Sequence, residues 1–107
     1  MSYSADLEKR LDAYFEDKAV AKKKMFGGLC YLERGNMVCG VYKDFFIARV
    51  GEKAGAAALG KPHTRPFDIT GKAMAGWVMV EGEGYAGKKM EAWIKLCEDF
   101  VETLPAK

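Results

Sequence analysis

The chain has 107 residues, half of them apolar and 30% charged, with a formal net charge of +2. That length holds one domain around one core, and that apolar fraction excludes an intrinsically disordered chain. A charge of +2 is too small to argue for a nucleic-acid partner by itself, and no apolar run approaches the ~20 residues that cross a bilayer.

The charge is unevenly spread. Residues 1–20 carry three basic and five acidic side chains, residues 21–72 ten and four, and residues 73–107 four and six. A basic middle between acidic ends permits an anionic partner without requiring one. The three cysteines, Cys30, Cys39 and Cys97, are odd in number and follow no signal peptide, so reduced thiols in a cytoplasmic protein are expected. With His63 they contain no C-x-x-C pair, so no metal is expected.

Ser4 can cap a first helix, with Asp6 and Glu8 in its first turn, where the helix dipole favours anions. Leu7, Leu11, Tyr14 and Phe15 then form one apolar stripe. Three apolar runs follow, at residues 25–32, 37–42 and 45–50, separated by short polar segments, which predicts a three-stranded antiparallel meander. Residues 52–59 are alanine-rich and stop at Gly60, a short helix. Residues 61–72 read as an irregular loop holding Pro62, His63, Arg65 and Pro66, and residues 76–81 as a further strand. A last helix runs from about Tyr85 to Thr103, with Met90, Trp93, Ile94, Cys97, Val101 and Leu104 on one face. The order is helix, three strands, helix, strands, helix. It predicts an α+β fold, an antiparallel sheet with flanking helices. Trp77 and Trp93 each sit in the apolar register of their element, so the last helix is expected to pack on the sheet through both.

The string Gly82-Glu83-Gly84-Tyr85-Ala86-Gly87 is literally G-x-G-x-x-G after a strand. The chain offers no second parallel strand and no ribose-binding acid after it, so no binding of NAD, FAD or ATP is expected there and no cofactor is assigned. His63 is the single imidazole and reads either as a loop residue bonded locally or as a binding group. Lys22, Lys23 and Lys24 form a basic run that Lys43, Arg49 and Arg65 can join in space. Tyr31, Tyr42, Phe45 and Phe46 are the candidate stacking residues for a nucleic acid, with core burial as the competing reading.

The strings KKMFGGL at 23–29, GNMVCGV at 35–41 and IARVG at 47–51 resemble the first half of the N-terminal domain of the TfoX/Sxy competence-regulator family. PHTRPFDITGK at 62–72, MAGWV at 74–78 and FVETLPAK at 100–107 resemble its second half. The resemblance implies a secretion-chaperone-like two-layer sandwich and a link to bacterial regulation of DNA uptake. The full-length regulators carry a second, helical domain, and residues 1–107 are expected to form the N-terminal-like domain alone. The resemblance brings no catalytic residue. The expected function is therefore a non-catalytic regulatory or protein-interaction domain with a protein partner or a homodimer, and no membrane. The alternatives are a nucleic-acid-associated accessory domain using the basic middle, or a small-molecule-binding protein. The candidate binding residues are Lys22, Lys23, Lys24, Arg49, His63 and Arg65. The proline-flanked loop holding His63 and Arg65 is the segment where a binding site on a rigid scaffold is expected.

Overall fold

The computed structural model describes residues 4–25, 27–68, 71 and 74–105. Phe26, Ile69, Thr70, Lys72, Ala106 and Lys107, which belong to the strings above, lie outside the described residues. Three helices, α1 (Ala5–Tyr14), α2 (Glu52–Ala58) and α3 (Lys89–Val101), accompany six strands: β1 (Val20–Met25), β2 (Gly28–Glu33), β3 (Asn36–Tyr42), β4 (Phe45–Arg49), β5 (Thr64–Pro66) and β6 (Trp77–Val80). The strands form one antiparallel sheet in the order β1-β2-β3-β4-β6-β5. The α+β architecture is thus the one the sequence predicts.

The differences lie at the sheet edges. The meander has four strands, not three, because residues 20–25 pair with β2. The lysines that disguise β1 in the sequence are what an edge strand needs, since charge on an unpaired edge blocks further pairing. β5 falls inside the stretch read as irregular loop. Its Pro66 is tolerated because β5 is the opposite edge strand. α3 begins at Lys89 and not near Tyr85, because Gly82–Gly84 forms a 3-10 turn and Gly87 takes φ +57.

All three helices contribute to the core on one sheet face. The Ser4 hydroxyl accepts the Leu7 N–H at 3.2 Å and starts α1, which buries Leu7 and Leu11. α3 buries Met90, Trp93, Ile94, Cys97 and Val101, as its sequence pattern predicts, while Leu104 falls beyond its end at Val101 and is only half-buried. From the sheet come Leu29, Tyr31, Cys39, Val41, Phe46, Ala48, Val78 and Val80. Each fully buried large aliphatic or aromatic side chain stabilises the fold by roughly 1.5–3 kcal/mol. Tyr31 and Phe46 therefore belong to this core and are not a stacking surface.

Trp77 does not pack under α3. It alternates out to the other sheet face with Met79, while Val78 and Val80 point to the helices. There Ile47, Phe67 and Met79 are buried, and Met37, Tyr42, Phe45 and Trp77 are partly exposed around them. Gly76, the residue before Trp77, has to be glycine for a backbone reason. Its φ is +86, and a side chain there would press on the backbone of Gly51 and Glu52 at 3.1–3.3 Å, where α2 begins.

Cys30, Cys39 and Cys97 are free and buried. Burial pushes the Cys30 thiol up to about 11 and Cys97 to about 12, and raises Cys39 well above its ordinary value. With thiolate suppressed and access closed, iodoacetamide at pH 8 should label the native protein at least ~100-fold more slowly than the unfolded chain. Mass spectrometry should show three added groups after unfolding in urea without reductant. A single added group would mean a bridged pair.

Candidate functional site

The strand register decides which of the candidate residues meet. A row of aligned residues crosses the whole sheet: Lys23, Cys30, Gly40, Ile47, Met79 and Arg65. Aligned residues share a face, so this row lies on the face opposite the helices, with a cation at each edge and apolar residues between. Arg49 and Trp77 are aligned partners in the next row on that face, and Tyr42 and Phe45 are aligned on the other side.

Each partly exposed ring here carries a cation. Arg49 lies over Trp77 with its guanidinium carbon 5.1 Å from the ring centroid, Arg65 over Phe45 at 5.4 Å, and Lys43 over Tyr42 with its ammonium also at 5.4 Å. Such contacts are worth roughly 0.5–1 kcal/mol at exposed sites and more where water is excluded. Phe67 stacks on Trp77 at 5.6 Å and extends the apolar floor. Arg49 also meets the Phe100 ring at 5.6 Å, and burial lowers its affinity for its proton. It stays charged regardless, because a guanidinium does not deprotonate in a protein. Among the described residues no helix covers this face; Phe67 packs on it against Trp77.

The lysine run does not act as a unit. Lys22 and Lys24 alternate to the helix side, away from Lys23. Lys22 is engaged there: its ammonium meets Glu8 at 2.8 Å and Asp12 at 3.2 Å, and the Glu8 hydrogen bond raises its affinity for the proton. Tyr31 donates to the same Asp12 at 2.8 Å, so Lys22 fastens α1 to the sheet edge.

His63 and Arg65 are neighbours in sequence but point to different places. Arg65 belongs to the sheet face, 3.9 Å from Glu81. His63, with φ +64, holds its Nε2 3.2 Å from Glu83 and its Nδ1 3.9 Å from Glu81. Its carbonyl accepts the Glu81 N–H at 2.8 Å, and a side chain at Gly84 would collide with Val80 at 2.6 Å and with the His63 Cβ at 3.0 Å. Gly84 also accepts the Trp93 indole N–H at 3.0 Å. The glycine string is therefore a packing device: it lets the turn before α3 lie against the His63 loop, beside an antiparallel strand.

Among the described residues no group of three or more His, Cys, Asp or Glu could hold a metal ion, and no helix is long and apolar enough to cross a membrane. Sequence reasoning set Trp77 under the last helix and named Lys43 only as a companion of the lysine run, whereas both meet rings on the sheet face. The signal was present in the period-two pattern Phe45, Ile47, Arg49 of β4, which places alternate residues away from the core.

The comparisons with known proteins are narrow. The family model described as the TfoX N-terminal domain matches residues 13–101, a span that includes all six strands, α2 and α3. No curated protein and no solved structure matches the chain. A match over so much of the sequence shows that the chain belongs to the TfoX N-terminal domain family.

Proposed function

We propose that this is a non-catalytic interaction domain of the competence-regulator type, cytoplasmic, which contacts a partner polypeptide or a second copy of itself through the sheet face opposite the helices. The observation that carries this reading is the set of three ring–cation pairs on that face, built from Tyr42, Phe45 and Trp77 with Lys43, Arg65 and Arg49. Aromatic residues and arginine are the side chains that dominate binding energy at protein interfaces. Its non-catalytic character is supported by thiols that burial keeps protonated and by a His63 ring that meets two carboxylates, not a nucleophile.

A second reading, a nucleic-acid-associated domain, is favoured by the same cations, because stacking rings beside basic groups also suit a single strand. Salt separates the two. An apolar contact survives salt, whereas phosphate contacts weaken steeply between about 50 and 200 mM. The test is sedimentation of the protein and anisotropy of a labelled single-stranded oligonucleotide, each at two salt concentrations. The interaction reading expects self-association that persists at high salt and is lost in Tyr42→Asp/Phe45→Asp. Oligonucleotide binding whose salt slope falls by ~1 in Lys23→Ala and in Arg65→Ala would establish the second reading instead. Lys22→Ala should leave that slope unchanged, because Lys22 is held by Glu8 and Asp12. If neither association occurs and a pull-down through the sheet face captures nothing that the double variant loses, the face is not a contact surface.

A further inference from the structure

A separate cleft lies between the His63 loop, the Gly82–Gly84 turn and α3, away from the ring–cation pairs. It encloses about 310 Å³, the lower end of the range for small-molecule sites. Its wall is apolar, with Trp93, Ala92 and Leu96 from α3 and Pro62 from the loop. Leu96 is one of the few large apolar side chains of the described residues left exposed, at 36%.

Two ammonium groups stand at this apolar wall. Lys61 Nζ lies 5.3 Å over the Trp93 ring, and Lys89 Nζ rests 3.2 Å from the Glu83 carbonyl. No carboxylate among the described residues lies within ion-pair distance of either. The Glu83 carboxylate meets His63 Nε2 instead, at 3.2 Å. The frame is fixed. Thr64 Oγ1 lies 2.8 Å from the carbonyls of both Ala58 and Lys61 and shares its one proton between them, the Trp93 indole is tied to Gly84, and Gly84 packs on His63. A preformed apolar slot with two unpaired cations at its rim matches one chemistry: an apolar body with a single negative head.

We propose that this cleft binds a small amphiphilic carboxylate, with an aromatic or branched aliphatic body of ~10–15 heavy atoms against Trp93 and Leu96 and its carboxylate between Lys61 and Lys89. The apolar wall supplies the area term and the ammonium pair the preference for an anion.

The test is a titration of the whole protein, followed by the Trp93 indole N–H resonance, with 3-phenylpropionate, its neutral amide 3-phenylpropanamide and the cation 2-phenylethylammonium. Trp77→Phe assigns the resonance. The acid should shift it saturably. The amide should bind at least about fivefold more weakly, the worth of two exposed ion pairs, and the cation more weakly still. Lys61→Gln/Lys89→Gln should bring the acid to the affinity of the amide and leave the amide unchanged. Both lysines are exposed, so this variant should fold; Ala92→Phe, which fills the slot, should abolish binding of either compound. Equal affinity of acid and amide, an unsaturable shift, or indifference to the lysine changes would overturn the proposal. Tyr42→Asp/Phe45→Asp should not alter this binding, so the cleft and the sheet face stand or fall independently.

Discussion

Gly40→Val is expected to abolish the cooperative unfolding transition or to lower its midpoint by more than about 12 °C, the equivalent of roughly 3 kcal/mol for a domain of this size. Gly40 sits in the middle of β3, aligned with Cys30 on β2 and Ile47 on β4. A Cβ built there would collide with the Leu29 backbone carbonyl oxygen and stand 2.9 Å from the Met37 methyl. The methionine can swing aside. The carbonyl belongs to the strand ladder next to the β-bulge between Tyr31 and Leu32, so relief requires β2 and β3 to separate at the sheet's centre. Overpacking a core ordinarily costs 1–3 kcal/mol, and the cost is greater where backbone must give. Total stabilities of 5–15 kcal/mol leave little margin for that. Gly82→Ala is the control, because a Cβ at Gly82 meets nothing within 4 Å. Circular dichroism melts of the two variants should differ by most of the Gly40 effect. A Gly40→Val protein within 1 kcal/mol of the parent would mean that β2 and β3 pair differently.

Trp93→Ala should cost ~3–5 kcal/mol, the usual toll of truncating a large buried aromatic ring. Trp93 is 6% exposed and joins α3 to the core, while its N–H holds the Gly84 carbonyl at 3.0 Å. The substitution removes apolar burial, leaves a cavity and orphans that carbonyl, so the terms add. Trp93→Phe keeps most of the burial and should cost only ~1–2 kcal/mol, which isolates the hydrogen bond and the residual volume. Trp77→Ala should cost clearly less than Trp93→Ala, because Trp77 is only partly buried and lies on the face without helices. Urea midpoints for the three variants settle the order. Equal losses for Trp77→Ala and Trp93→Ala would contradict the assignment of the two rings to opposite faces.

The candidate site was half legible. Arg49 and Arg65 were named from residue type, and the structure brings both to one face with Lys23. His63 was named with Arg65 because two prolines bracket them, but His63 lies just before β5 with left-handed backbone, which breaks the alternation that would have put the two side chains on one face. The lysine run looked like one basic patch, yet a strand turns successive side chains to opposite faces. The same geometry divided the two tryptophans. Phe46 and Tyr31 could not be told from Tyr42 and Phe45 by composition, since a strand's aromatic residues look alike until the side that carries the helices is known.

Local chemistry carried the elements whose signal is written in consecutive residues. The Ser4 cap, the stripe of α3, the glycine stop of α2 and the polar turn between β2 and β3 all follow from hydrogen bonding and burial within a few residues, and each stands where its sequence places it. Strand order, edges and faces depended on partners dozens of residues away. β1 and β5 were hidden because edge strands need lysine and proline, the residues that otherwise argue against a strand. The cleft at Trp93 draws on α3, the loop from Lys61 and the turn at Gly84, segments that nothing in their own sequence links. Only the packing of Gly84 against the His63 loop, with no side chain between them, brings the three together.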